Sequence, residues 1–221
     1  MPADAPQHRP EGASSAAPEE TLRDRLVRTG VELVDAEGAQ ALTLREIARR
    51  AGVSHGAPRR HFPTHLDLLS AIAREGFAEL GARVTEADDP AGAPRARIEA
   101  LARCYLDFVR ERGGMYELMF RHDLLESGRL GLRDLSLPLF AHLTDLVAAA
   151  RPATADPVAA TGALWANLHG IAQLWRWGSL RLATGAEDPA PLLAAALDAH
   201  LGRADGAAGP SASAAPAGGA R

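Results

Sequence analysis

The sequence predicts an all-α protein, and three observations carry that expectation. Hydrophobic residues make up 47% of the chain but aromatic residues only 5%, and no run alternates β-branched or aromatic residues with polar ones as a half-buried strand would. Apolar residues recur instead every three or four positions through stretches dominated by strong helix formers. Ser, Thr or Asp heads several of these stretches and Gly closes them, the residues that cap orphan amides and accept a left-handed turn. The expected layout is a tail over residues 1–18, a three-helix N-terminal unit over 19–65, a helical body over 66–203 and a second tail over 204–221, about nine helices in all.

Both tails are Pro, Ala, Ser, Gly and charge, with too few large apolar groups to offset the entropy of ordering, so disorder is expected there. The first helix spans about Thr21 to Glu37, with Leu22, Leu26, Gly30, Leu33 and Val34 on one face and Gly38 at its end. Thr43 and Glu46 form a T-x-x-E capping box at the head of the second, whose stripe is Leu44, Ile47, Ala48 and Ala51 and whose stop is Gly52. Ser54 is placed to cap a short third helix, closed by Phe62-Pro63, and Thr64 to cap a fourth with Leu66, Leu69, Ile72, Ala73, Phe77 and Leu80 on its buried side. Ala93 to Glu111 is amphipathic through Ile98, Leu101, Cys104, Tyr105 and Phe108, until Gly113-Gly114 breaks it. Met115 to Phe120 reads as a short helix and Glu126 to Gly131 as a loop. Leu132 to Ala150 follows, bent or started by Pro138. Asp156-Pro157 puts Asp at N-cap and Pro at N1 of a helix running to about Leu182, and Asp188-Pro189 repeats that signal for a last helix ending at Gly202.

The second and third helices, joined by a glycine turn and crossing at the small Ala48, make a helix-turn-helix. In that motif the second helix enters the major groove and its N-terminal residues read base edges. His55 is expected as its first side chain. Gly56 and Ala57 are small enough for close backbone approach, and the Ala57 methyl suits a thymine methyl. Arg59 and Arg60 offer planar donor forks to phosphate or guanine, and Arg45 reaches the groove edge. His61 either donates to a phosphate or packs under the next helix. The backbone amides at Thr43 and Thr64 are expected to cradle phosphates. Between Thr43 and His65, five arginines stand against Glu46 alone, a local charge of +4 in a chain whose net charge is −4.

Composition excludes several other classes. All 24 basic residues are arginine. The single Cys104, on an apolar face, excludes an intrachain disulfide and a Cys-rich zinc site and reads as a small buried hydrophobe. His55, His61 and His65 fall on two helices with no carboxylate or thiol to complete a set, so no metal or other cofactor is expected. No apolar run approaches the roughly 20 residues a membrane span needs, and the N-terminus has no apolar signal core, so the chain reads as cytoplasmic. No Ser-His-Asp set, phosphate loop or carboxylate pair stands out, and an enzyme is not expected.

The pattern LREIARRAGVS-x-G-x(4)-HFP-x(3)-DLL resembles the DNA-binding domain of the TetR/AcrR family across about Thr21 to Phe77. The segment Leu164 to Trp175, LWANLHGIAQLW, resembles the Trp…His-Gly ligand-binding domain of one branch of that family. The resemblance implies an Ω-shaped helical homodimer that represses transcription at a double-stranded, pseudo-palindromic operator until a small molecule binds the C-terminal domain. It implies base reading by Arg45 and recognition contacts from Ser54, His55, Gly56, Ala57, Arg59 and His61. Three positions depart from the family pattern: Arg59 replaces a tyrosine, Pro58 an aliphatic or aromatic core residue, and His65 a phosphate-binding lysine, whose place at the DNA it is expected to take with one donated hydrogen bond and less charge. An activator, or a constitutive binder without effector, is the alternative.

Apolar pockets with a few polar groups are the usual small-molecule sites. Tyr105, Phe108, Met115, Met119 and Phe120 are placed to face Trp165, Leu168 and His169, the first and last of these sharing a helix face at i and i+4; an ordinary core with a satisfied histidine is the competing reading. Gly162, Ala166 and Gly170 form a small-x3-small row. With Leu174, Trp177, Leu193 and Leu197 it is read as a dimer interface, a four-helix bundle of the last two helices with their mates, or else as an intrachain contact.

Overall fold

The computed structural model describes residues 20–126 and 131–203; both expected tails lie outside them, as does most of the expected loop after Glu126. Among the described residues there are eleven α-helices and no strand: α1 (Leu22–Glu37), α2 (Leu44–Arg50), α3 (Ala57–His61), α4 (His65–Ala87), α5 (Pro94–Glu111), α6 (Gly113–Met119), α7 (His122–Glu126), α8 (Leu132–Ala150), α9 (Pro157–Arg176), α10 (Ser179–Thr184) and α11 (Ala190–Leu201).

The capping signals fix most boundaries. Thr21 Oγ1 accepts the Asp24 amide, Thr64 and Asp67 close a reciprocal capping box, and the Asp156 carboxylate accepts the Ala159 amide ahead of Pro157. At α2 only half of the expected box forms. Thr43 Oγ1 accepts from the Glu46 amide at 3.1 Å, but the Glu46 carboxylate turns away to Arg49 and Arg50. Gly52, at φ 69°, closes α2, with the Val53 amide on the Ala48 carbonyl and its own amide on the Arg49 carbonyl.

Two elements differ from expectation. The helix expected to reach Leu182 breaks at Gly178, whose φ of 78° takes it out of the helix and leaves α10 as a separate turn and a half. The five-residue α7 was not anticipated, being too short to show a period. α8 keeps the expected bounds, and of the two readings of Pro138 the helix start falls away, since the proline lies within the helix at the cost of one helical bond to the Asp134 carbonyl.

The core is one contiguous cluster. Leu26, Leu33, Ile47, Phe62, Leu68 and Ile72 fill the N-terminal part, and Phe77, Ile98, Phe108, Met115, Tyr116 and Leu118 continue it into the body without a gap at the expected boundary after residue 65. The long α4 makes this possible, packing on α1 at one end and on α5, α6 and α8 along the rest. α6 also abuts α1 directly. A Cβ on Gly114 would lie 2.3 Å from the Val34 carbonyl oxygen, so only glycine allows the approach. Arg112, just before α6, bridges Asp35 of α1 at 2.9 Å and Glu79 of α4 at 3.0 Å. Among the described residues no helix is long and apolar enough to cross a membrane.

Candidate DNA-reading face and effector cavity

The turn between α2 and α3 is exposed, and Pro58 shapes it. Proline has no amide to return to the Ser54 carbonyl, so the Ala57 amide takes that carbonyl at 3.0 Å in a tighter turn. As a result α3 starts at Ala57, the Ser54 side chain caps nothing, and His55 and Gly56 stand on the turn rather than in the helix. The Pro58 ring itself is buried and fills the core position under α3. Ser54, His55, Gly56, Arg59, Arg60 and His61 are all exposed and Ala57 half-buried, so His61 does not pack beneath α4.

Side-chain commitments sort the arginines. Arg49 and Arg50 both bind Glu46, and Arg50 also binds Glu37. Arg49 first and then Arg50 hold the Glu46 carboxyl down at about 2. Arg45, Arg59 and Arg60 are exposed and form no ion pair among the described residues. They are the cations this face offers to solvent, and the positive charge counted from sequence overstates what is available. Arg23 lies 5.3 Å from the Phe62 ring centroid and closes the end of α3 against α1.

Two expected phosphate groups are spent internally. The Thr64 amide donates to Asp67 at 2.9 Å, and the Thr43 amide donates to the Ala41 carbonyl at 2.8 Å. The first-turn amides still without helical partners are those that follow them in α2 and α4. His65 Nε2 lies 2.7 Å from the Leu42 carbonyl oxygen, which can only accept, so Nε2 carries the proton. In a neutral ring that leaves Nδ1 as an acceptor, and His65 ties α4 to the loop before α2 instead of replacing the family's lysine as a donor.

The second feature is an apolar cavity of about 290 Å³ in the body, partly open to solvent. Its wall is formed by Phe77, Leu80 and Val84 of α4, Leu101, Ala102 and Tyr105 of α5, Phe120 and Leu125, Ser136, Leu137, Leu139, Phe140 and Leu143 of α8, and Trp165 and Leu168 of α9. Tyr105, Phe120, Trp165 and Leu168 stand there as expected. Phe108, Met115 and Met119 do not: they are fully buried in solid core and touch no open space. His169 lies behind the wall, its Nδ1 2.8 Å from the Tyr105 hydroxyl and both its nitrogens 3.2 Å from the Tyr116 hydroxyl. Burial pushes the His169 imidazole below its usual range and both phenols above theirs. The α4 and α8 walls escaped the sequence reading, since their apolar stripes look like any core face; the one available signal was the density of Leu and Phe between Leu135 and Leu143.

On α9, an added Cβ at Gly162 or Gly170 would meet nothing within 4 Å, and Ala166 is exposed. The row is therefore open on the outside of the subunit, which removes the intrachain reading. Val158, at 59% exposure, Leu174, at 38%, and Trp177, at 65%, extend it. Leu193 and Leu197 do not belong to it. They are 3% and 1% exposed and point into the subunit's own core against α9 and α5. Cys104 is half-buried, and burial pushes its thiol up.

An exposed helix-turn-helix carrying uncommitted arginines, rigidly joined to a helical body with an apolar cavity, is the build of a DNA-binding transcriptional regulator. Comparison with known proteins agrees. The model of the tetR family of bacterial regulatory proteins matches residues 26–72, and that of the tetracyclin repressor-like C-terminal domain matches residues 98–200. The chain is 28% identical over 120 residues to the HTH-type transcriptional activator FasR of Mycolicibacterium smegmatis, covering 53% of this chain and 55% of that protein. It is 34% identical over 85 residues to the HTH-type transcriptional regulator BetI of Rhizobium meliloti, covering 38% and 42%. The chain spans about half the length of the curated relatives it matches. Among solved structures, a protein of unknown function from Rhodococcus sp. RHA1 aligns with a TM-score of 0.69 at 26% identity, over 86% of this chain and 97% of that one. A bacterial regulatory protein in the tetR family from Rhodococcus RHA1 shares the fold with a TM-score of 0.61 at 24% identity, over 83% and 98%. The chain belongs to the TetR family of bacterial transcriptional regulators.

Proposed function

We propose that this protein is a homodimeric, ligand-responsive repressor acting in the cytoplasm on a double-stranded, pseudo-palindromic operator and released by a small, largely apolar effector. Residues 19–65 form the DNA-binding part and 66–203 the effector-binding and dimerisation part. Arg45, His55, Gly56, Ala57, Arg59, Arg60 and His61 meet the DNA, with Ser54 at the edge of the turn. The dimer forms through the open face of α9, from Val158 through Gly162, Ala166, Gly170 and Leu174 to Trp177.

One observation carries this reading: the cavity and the DNA-reading face are linked by rigid packing. Tyr105 on the cavity wall is bonded to His169, His169 to Tyr116 of α6, and α6 stands against the Val34 carbonyl of α1 through Gly114. Occupation of the cavity shifts the spacing of the two reading heads only if the ligand binds the two states with different affinity. Electrophoretic retardation of the DNA upstream of the protein's own gene, with and without a compound library, tests the proposal. Loss of the shifted band with ligand supports it. Retardation unchanged across the library sinks the effector-released reading in favour of constitutive binding.

A second reading, activation, is favoured by the similarity to a relative named as a transcriptional activator. In vitro transcription from the bound promoter separates the two, since a repressor lowers and an activator raises transcript yield.

A further inference from the structure

We infer that Arg176 is the positioning residue that fixes each reading head relative to the dimer helix, and so sets the operator spacing the protein accepts. The inference rests on the dimeric, operator-binding reading above and goes beyond it by naming the residue that holds the spacing.

Arg176 is the last residue of α9, next to the exposed Trp177 on the face assigned to the dimer. Its own side chain lies on α6. Nη1 donates to the Gly113 carbonyl at 2.6 Å and Nη2 to the Glu117 carboxylate at 2.7 Å. Those acceptors belong to residues i and i+4, so one planar fork spans a full turn of α6. The guanidinium carbon also lies 5.7 Å from the Tyr116 ring centroid. Together these contacts fix both the distance of α6 from α9 and its rotation. Glycine at 113 permits the close seat, since a Cβ there would stand 3.0 Å from the guanidinium carbon.

α6 passes the constraint on. Its Gly114 stands against the Val34 carbonyl of α1, and Arg112 at its head bridges Asp35 of α1 and Glu79 of α4. α1 in turn packs on α2 and α3, which carry the reading face. A second bond from α9 to α6 is the weaker one. His169 meets the Tyr116 hydroxyl at 3.2 Å from either ring nitrogen, whereas the Arg176 bonds are shorter and charge-assisted.

Little of this serves folding. The Arg176 and Glu117 side chains remain 23% and 41% exposed, and a pair so open to water adds little to stability. Its effect is geometric. Two joined heads gain from binding together only when their separation matches the half-site spacing, about 34–36 Å for successive major grooves. A head clamped through α6 does not swing to meet a different spacing.

The probe is a duplex with two half-sites, selected by the wild-type protein from a random library. Derivatives gain or lose one base pair between the half-sites, and another keeps a single half-site. Electrophoretic retardation gives the affinities and sedimentation checks the dimer. Wild type should lose at least about tenfold in affinity on either change of spacing. Arg176→Met keeps an unbranched side chain without the fork. It should stay a dimer, bind the single half-site like wild type, and lose less than about threefold on either change of spacing. Glu117→Ala removes one acceptor of the fork and should relax the spacing in the same direction by less. Arg110→Met, whose partner Asp107 lies on its own helix, should stay as strict as wild type. An Arg176→Met dimer as strict about spacing as wild type overturns the inference. So does an equal loss on the single half-site, loss of the dimer, relaxed spacing in Arg110→Met, or a wild type indifferent to spacing. If Arg176→Met fails to fold, Glu117→Ala decides by the same readout. A wild type that selects no duplex with two half-sites removes the operator reading itself, whereas a strict wild type beside an equally strict variant removes this inference alone.

Discussion

Around the α2–α3 turn, Arg45, Arg59 and Arg60 stand exposed with no ion pair among the described residues, whereas no charged side chain among the described residues lines the cavity wall. The two regions use the same solvent physics in opposite directions. A solvated guanidinium loses little by exchanging water for a phosphate oxygen, so an exposed, uncommitted arginine is ready to bind a polyanion. An apolar wall without counter-charge disfavours ions by making them shed their water, so it sorts ligands by charge. Commitment within the protein marks the division. Arg49 and Arg50 share α2 with Arg45 but are already paired with Glu46 and Glu37.

The largest test of this contrast concerns the solid core beside the cavity. Phe108→Ala should cost about 3–5 kcal/mol, measured by denaturant unfolding at fixed protein concentration, while leaving the affinity for butylbenzene, an apolar probe of the cavity, unchanged, because that ring is buried away from the cavity. Phe140→Ala, on the wall, should cost less and change probe affinity; the reverse pattern would move the cavity's boundary. Next, Gly114→Ala should destabilise by about 1–3 kcal/mol and weaken operator binding together, since the new methyl meets the backbone of α1. Gly162→Leu should leave the subunit folded, with nothing within 4 Å of the added Cβ, yet split the dimer in sedimentation; a stable dimer moves the interface off α9.

Smaller effects compare arginines directly. Arg59→Ala should reduce the salt-dependence slope of operator binding by about 1, whereas Arg49→Ala should change it far less. Equal changes would show that the pair with Glu46 opens on DNA. The smallest effect is in acid. The Glu46 carboxyl is held down to about 2, below its ordinary 4.5, so its pairing supports the fold fully above about 4.5 and is lost as pH falls toward 2. Melting temperature followed across that window should fall less steeply for Glu46→Gln than for wild type, and the exposure of the pair keeps the difference small.

What was legible in the chain follows the range of the interactions involved. Caps and stops act within four residues, and Thr21, Thr64, Gly52 and Asp156 did what their types dictate. The start of α3 was misplaced although Pro58 was visible, because the consequence of its missing amide depends on which donor takes the Ser54 carbonyl instead. His65 was read as facing DNA, but its bond reaches 23 residues back to Leu42, and no local pattern encodes that. The cavity was half legible. Tyr105, Phe120, Trp165 and Leu168 were found, while Phe108, Met115 and Met119 share the same apolar types and spacing and differ only in what packs opposite them. Leu193 and Leu197 failed for the same reason, since the amphipathic pattern of α11 does not say whether its apolar face meets its own subunit or another.

The unbroken core beneath α4 sets a rule for anyone building hybrid regulators from this protein. A graft that transplants residues up to 65 onto a foreign body would cut through the packing of α1 and α4 and present α1 to an α6 shaped for another partner. The transferable part must therefore end beyond Gly114, or the recipient must already carry a glycine facing the end of α1. Chimeras joined at the apparent motif boundary should express as aggregates, and those joined after α6 as folded proteins.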